Sequence, residues 1–267
     1  VDRAAQQEEA HVTIEKTIVA IRDISKNFGG LAALQQVSIT VERGSITAVI
    51  GPNGAGKTTL INVLSGFLLP DSGSISLNNT VITGKKGHII TRLGMARTFQ
   101  TAQLFGTMSV LDNVMVGRYA RTHAGLAGAA LRLPGVLAEE RAVRARALEL
   151  LDLVGLTDHA SLPAASIPIG SQRLLEIARA LASDPQVLLL DEPAAGLNTQ
   201  ETRLLGELLR TIKNQGITIM LVEHDMELVM DISDDIAVLN FGQNIAGGTP
   251  GEIQTNPDVI AVYLGED

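Results

Sequence analysis

Cysteine is absent from the chain, so disulfide cross-links and thiolate metal sites are excluded and the redox compartment is left open. A basic excess is absent too: 21 Lys and Arg stand against 29 Asp and Glu, for a formal net charge of -8. Broad electrostatic binding to nucleic acid needs a basic stripe that displaces counterions, and this balance speaks against it. No stretch approaches the roughly 20 apolar residues that span a bilayer. The most membrane-like piece, AGLAGAALRLPG, is short and broken by Gly and Pro. The opening stretch VDRAAQQEEAH is polar and charged, lacks the apolar centre of a secretory signal, and is expected to fray. Long repeats, low-complexity segments and Ser/Gly linkers are missing as well. A soluble or membrane-peripheral globular chain without thiol chemistry is what these absences leave.

What is present points to an α/β fold. A chain of 267 residues with 45% hydrophobic content can bury a sizeable interior, as one large domain or a core with a lobe. Apolar, β-rich runs occur at TIVAIRDI (17–24), SITAVIG (45–51), VLLLDE (187–192), ITIMLVEH (217–224) and DIAVLN (235–240), most of them continuous rather than alternating. Continuous runs imply strands covered on both faces, and the helical patterns between several of them imply crossover connections. A mainly parallel sheet follows, with the remaining N-terminal strands as an antiparallel flank. Residues 109–160 differ. Ser109 with Asp112 three positions later reads as a helix start, and AEERAVRARALELLDLVGL gives a second, strongly helical run. The expectation is a polar tail over 1–12 and a single domain over 13–267, with a helical subdomain inserted at about 106–180. Near the end, GTPGEI reads as a turn and DVIAVYLG as a short helix.

The chemistry concentrates in a few stretches. Gly51, Pro52, Asn53, Gly54, Ala55, Gly56, Lys57 and Thr58 fit the phosphate-loop pattern, and they stand between a strand and the helical run TTLINVLSG that begins at Thr58 and Thr59. Glycines let backbone N–H groups converge on phosphate oxygens, the helix N-terminus favours negative charge, Lys57 can reach the outer phosphates, and the Thr58 hydroxyl can bind Mg²⁺. A nucleoside triphosphate is the natural ligand. The run at 187–192 ends in two carboxylates where ligands of such sheets collect. Asp191 can hold Mg²⁺ through water, and Glu192 can orient or deprotonate an attacking water. His224 follows another apolar strand and should emerge on the same edge, within reach of the γ-phosphate or the water. Gln100, ending MARTFQ, is a further polar candidate for sensing Mg²⁺ or water.

In this order the motifs resemble the nucleotide-binding subunits of ATP-binding cassette (ABC) transporters over nearly the whole chain after about residue 13. The resemblance implies the ABC ATPase fold and assigns further roles. Phe28 would stack on adenine, Gln100 would sit in the loop that couples to membrane subunits, and His224 would be the switch histidine. Ala195, Gly196, Leu197 and Asn198 would form the loop exchanged across a dimer of two cassettes, identical or different. The stretch from Ile167 to Gln172 would be the family signature, with Gly170 and Ser171 contacting ATP held by the partner. ARTFQTAQLFGTMSVLDNVMVG, EIARALASDPQVLLLDEPAAGLN and DVIAVYLGED are similar to the ATPases of branched-chain amino acid importers. That likeness implies ATP hydrolysis coupled to import, a peripheral place on the cytoplasmic side of the inner membrane, integral permease partners and, indirectly, a periplasmic binding protein that selects the solute.

The signature departs from the family. The common form is Leu-Ser-Gly-Gly-Gln and the branched-chain variant Leu-Pro-Tyr-Gly-Gln-Gln-Arg, whereas this chain has Ile-Pro-Ile-Gly-Ser-Gln-Arg. Pro168 brings no N–H and no side-chain donor, and Ser171 is read either as the cap of the helix RLLEIARALA or as a phosphate contact. That helix carries apolar positions 174, 175, 178 and 181 on one face. Other readings are a lipid-exporting cassette, a small-molecule kinase, a GTPase and a cassette acting on DNA or ribosomes. A GTPase would need Asn-Lys-x-Asp, and no Asn here is followed by Lys. DNA- or ribosome-directed cassettes carry coiled coils or a second cassette.

Overall fold

The computed structural model of the chain describes residues 16–99, 103–119 and 134–264, with the backbone alone at 134–137 and 264. Two sheets organise them. β1 (Thr17–Phe28) and β2 (Leu31–Glu42) form a long hairpin, which β4 (Ser72–Leu77) and β5 (Thr80–Val81) extend into an antiparallel sheet of order β2-β1-β4-β5. The second sheet comprises β3 (Ile46–Ile50), β6 (Met95–Arg97), β7 (Val187–Asp191), β8 (Thr218–Val222), β9 (Asp235–Asn240) and β10 (Gln243–Gly248), in the order β10-β9-β3-β8-β7-β6. Its neighbours run parallel except β10, which returns antiparallel along β9. The expected parallel sheet is present, but the run at 17–24 belongs to the antiparallel sheet instead. Its register against β2 shifts between Ile21 and Ile24. Such an irregularity changes which residues face inward and hides the alternation of a one-sided strand.

Alternation of side chains divides the parallel sheet between two cores. Val49, Leu189, Met220 and Leu239 face the antiparallel sheet and helix α1 (Lys57–Leu64). Ala48, Leu190, Leu221 and Val238 face a helical layer. That layer draws on α3 (Val110–Arg118), α4 (Pro134–Leu153), α5 (Ile169–Leu181), α6 (Thr199–Asn214) and α7 (Met226–Ile232), with α8 (Pro250–Thr255) and α9 (Pro257–Leu264) at its end. α2 (Gly87–Leu93) leads into β6. Burial from both sides is why β3, β7 and β8 are buried at every position.

Local chemistry sets the helix ends. Ser109 starts α3 as expected, its hydroxyl accepting from the Asp112 N–H at 3.0 Å. α6 opens on a reciprocal box: Glu201 N–H donates to Asn198 Oδ1 at 3.0 Å and Asn198 N–H to Glu201 Oε2 at 2.9 Å. GTPGEI is more than a turn. Glu252 reaches back to accept from the Thr249 N–H at 2.8 Å, and Pro250 supplies the preset first position of α8. α5 starts earlier than RLLEIARALA, at Ile169, with Pro168 as its N-cap. Ser171 is thus inside the first turn and does not cap the helix, because the helical turn already closes from the Gln172 N–H to the Pro168 carbonyl at 2.9 Å.

Candidate functional site

β3, β8 and β7 are neighbours, with Val49 in register with Val222 and Val222 with Asp191. Their C-terminal ends therefore deliver the loop after Ile50, the acidic pair and the segment at His224 to one edge. The loop itself depends on glycine. Gly51 has φ +148°, and a Cβ there would collide with the Leu239 carbonyl oxygen; Gly56 has φ +103° and would meet the Ala33 carbonyl oxygen at 2.5 Å. Lys57 is buried beneath, its ammonium donating to the Gly51 and Pro52 carbonyls at 2.5 and 3.0 Å. Burial lowers its pKa, and the charge of Glu192 opposes the shift. Around the loop lies a cavity of about 630 Å³ lined by Phe28, Leu31, Asn53, Gly54, Lys57, Thr58, Thr59 and Glu192, among others. Sequence reading had placed most of these residues at a single site, and the fold brings them together.

Asp191 precedes the cavity-lining Glu192 and is itself buried, paired with Arg97 at 2.9 Å. Burial raises its pKa, and the hydrogen bond from Arg97 pulls it back. The guanidinium is itself well supported. It donates to Asn62 Oδ1 at 2.7 Å and Ser65 Oγ at 2.8 Å, and it lies 4.9 and 5.5 Å from the Phe99 and Phe67 rings. Sequence reading passed over Arg97 although it stands in MARTFQ; a charge inside a strand otherwise fit for burial was the available signal. Glu192 follows with φ +48°. This left-handed conformation, uncommon for a residue with a long side chain, turns it away from the strand's alternation. Asp191 goes to Arg97 and Glu192 to the cavity.

His224 emerges at the same edge but does not line the cavity, and its side chain is 65% exposed. Its backbone is fixed by Glu223, a second residue missed in the sequence. The buried Glu223 carboxylate accepts from the N–H groups of Ala194 at 2.7 Å, His224 at 2.9 Å and Asp225 at 3.3 Å. Burial raises its pKa against these donors. One carboxylate thus ties the segment after Glu192 to the histidine. Gln100 lies outside the described residues. Both flanks of its segment are held by α5: Arg173 donates to the Phe99 carbonyl at 3.3 Å, and the buried Glu176 accepts from the Gln103 N–H at 3.0 Å.

Gly170 and Ser171 do not line the cavity. Gln172 is the first residue of α5 whose N–H closes a helical turn, to the Pro168 carbonyl at 2.9 Å. The N–H groups before it form an open helix end, beside Ile169, which is 67% exposed.

Comparison with known proteins decides the family. Residues 34–195 match the family described as ABC transporter. The chain is 44% identical over 254 residues to the high-affinity branched-chain amino acid transport ATP-binding protein LivG of Salmonella typhimurium, covering 95% of this chain and 100% of the relative. The chain belongs to the ABC transporter family. Residues 243–267 of this cassette further match the family described as branched-chain amino acid ATP-binding cassette transporter. A probable branched-chain amino acid transport ATP-binding protein LivG of Archaeoglobus fulgidus is 39% identical over 93% of the cassette and 95% of its own length. Among solved structures, a nucleotide-free ATP-binding cassette from an ABC transporter aligns with TM-score 0.82 and 33% identity over 94% of this chain and 100% of that one. The ADP conformation of MJ1267, an ATP-binding cassette of an ABC transporter, gives the same TM-score and identity over 94% and 99%.

The residues of this cassette fit ATP and Mg²⁺. Glycine-shaped backbone, a buried ammonium and a cavity of nucleotide size suit a triphosphate. Asp191 Oδ1 is buried without a hydrogen-bond partner among the described residues, a free acceptor for an ion or its water. Among those residues no group of three or more His, Asp or Glu forms a metal cage. Mg²⁺ is commonly held by one or two protein oxygens, waters and phosphates, and Asp191 Oδ1 is an oxygen of that kind. No helix among the described residues is long and apolar enough to cross a membrane.

Proposed function

We propose that this cassette hydrolyses ATP to energise import of branched-chain amino acids, working as a peripheral subunit on the cytoplasmic face of the cell membrane. It pairs with a second cassette and docks on integral permeases, which receive solute from a periplasmic binding protein. The whole of 13–267 acts as one ABC ATPase domain, with residues at about 106–180 as its helical arm. The observation that carries the enzymatic part is the one cavity shared by Lys57, Thr58 and Glu192, with Glu192 next in the chain to the Arg97-anchored Asp191. The solute class is supported by the C-terminal match and by the LivG relatives.

ATP binding would draw the Lys57 ammonium from the Gly51 and Pro52 carbonyls to the outer phosphates, exchanging internal acceptors for charged ones. Thr58, Asp191 and Gln100 are the residues that would hold Mg²⁺. When bound, the ion neutralises charge on the phosphate oxygens. Glu192 orients or deprotonates the attacking water, and His224 contacts the γ-phosphate once the exposed ring swings in. Gly170 and Ser171 present N–H groups to ATP held by the partner cassette, and Phe28 stacks on the adenine. The test is copurification of the chain from its native membrane, with mass spectrometry of what accompanies it. Permeases and a second cassette are expected, with ATP turnover stimulated by solute-loaded binding protein; recovery with cytosolic enzymes alone would overturn the transport reading.

A further inference from the structure

Among the described residues, hairpins close on two-residue turns at Gly29–Gly30, Asn78–Asn79 and Phe241–Gly242, between the pairs Phe28 and Leu31, Leu77 and Thr80, and Asn240 and Gln243. Asn78 and Asn79 have φ of 48° and 60°, and Phe241 and Gly242 have φ of 45° and 76°. Positive φ at both central positions favours Asn or Gly. Asn78–Asn79 meets that rule; Phe241 breaks it, since a bulky side chain is costly in the left-handed region. Phe241 is also 79% exposed, more than any other large hydrophobic residue described. Neither its conformation nor its exposure helps the fold.

Its position is nevertheless tightly fixed. Gln35 N–H donates to the Gly242 carbonyl at 2.7 Å, Gly242 N–H to the Ala55 carbonyl at 3.0 Å, and the Gln35 side chain to the Phe241 carbonyl at 3.0 Å. A Cβ at Gly242 would stand 2.7 Å from the Ala33 carbonyl oxygen, so the turn is wedged between β2 and the phosphate loop. It carries the Phe241 ring into the lining of the cavity that holds Phe28, Lys57 and Thr58. At Phe28 itself, the Lys26 ammonium lies over the ring at 5.7 Å and occupies one aromatic face. A base stacked on the other face of Phe28 would still have its far side open to water.

We propose that Phe241 is a nucleobase-contacting residue, a second aromatic wall that shields the base of the bound nucleoside triphosphate together with Phe28. The proposal rests on the reading of this cavity as the ATP site. A rigid turn fixes the backbone that carries the ring, so only the side chain is left to order on binding. Both walls act through aromatic faces, which stack on any base. Affinity from this end of the pocket is therefore tolerant of base identity.

Phe241→Asn separates fold from ligand, because it installs the favoured Asn-Gly turn while removing the ring. In the purified full chain, the thermal midpoint without ligand is expected to stay level or rise. By calorimetry, ATP affinity is expected to fall about five- to twentyfold, with inorganic tripolyphosphate binding unchanged, and Phe241→Tyr is expected to keep wild-type ATP affinity. A folded Phe241→Asn chain that binds ATP within twofold of wild type would overturn the proposal while leaving the ATP-site reading intact. Equal weakening toward tripolyphosphate would overturn it too, by placing the effect at the phosphates, as would a lowered midpoint. A wild-type chain that binds neither ligand would remove the ATP-site reading and this inference together.

Discussion

The phosphate loop and the start of α5 both present helix N-terminal N–H groups, yet they are finished to different degrees within one chain. At the phosphate loop the backbone is moulded by Gly51 and Gly56 against Leu239 and Ala33, and the Lys57 ammonium is already bonded inside it. The nearby carboxylate of Asp191 is anchored by Arg97. Neither helix has a side-chain cap, but α5 opens on Ile169, whose side chain lies open to water. The phosphate-loop side gathers a lysine, an anchored carboxylate and an open acceptor around one cavity, whereas the start of α5 does not line that cavity and waits for a second surface. Under the proposed function, that surface is the ATP of the partner cassette.

The largest way to sharpen this contrast is Glu192→Gln. Loss of a general base costs roughly 10²- to 10⁴-fold in rate, so turnover should collapse while ATP affinity stays within a few-fold of wild type. Steady-state turnover beside calorimetric binding checks this, and unchanged turnover would remove Glu192 as the base. Next comes Arg97→Ala, which strands a buried carboxylate and should lower stability by about 3 to 5 kcal/mol, read as a shifted midpoint in urea. If the midpoint hardly moved, the self-contained character of the phosphate-loop side would be lost. At the other region, Gly170→Asp sets a carboxylate at the open helix end. ATP-driven dimerisation should weaken by about 2 kcal/mol with monomer ATP affinity preserved, measured by sedimentation and by titration. Dimerisation that survived intact would reduce the start of α5 to a helix end with no role in binding.

The two regions also differed in how far their sequence could be read. Gly51 to Thr58 and the Asp191–Glu192 pair were legible because their spacing along the chain reproduces their arrangement in space: a strand, a turn and a helix, or a strand and its end. Arg97, Glu176 and Glu223 were not. Each is fixed by burial and by partners distant in the chain, Asp191, Gln103 and Ala194, and no local pattern encodes those pairings. Of the two readings of Ser171, cap or phosphate contact, the cap is ruled out because α5 already starts at Ile169. The antiparallel place of the run at 17–24 was hidden by an irregular register. Phe241 broke a turn rule, but the rule applies only once the pairing of Asn240 with Gln243 is known.

The smallest expected effect lies where α6 meets α5. Glu201 serves the box with Asn198, and its Oε1 would lie 3.0 Å from a Cβ placed on Gly170. The carboxylate therefore stands beside the open turn while its other oxygen is held by the Asn198 N–H. Asn198→Ala removes the acceptor of the Glu201 N–H and should cost about 1 kcal/mol of stability. It leaves the Asn198 N–H in place, so Glu201 keeps one tether and the phosphate loop is untouched. Urea unfolding should register that loss while monomer ATP affinity stays at the wild-type value. A change in monomer ATP affinity would mean that the two regions are coupled within one chain, and the contrast between a self-contained site and a waiting one would fail.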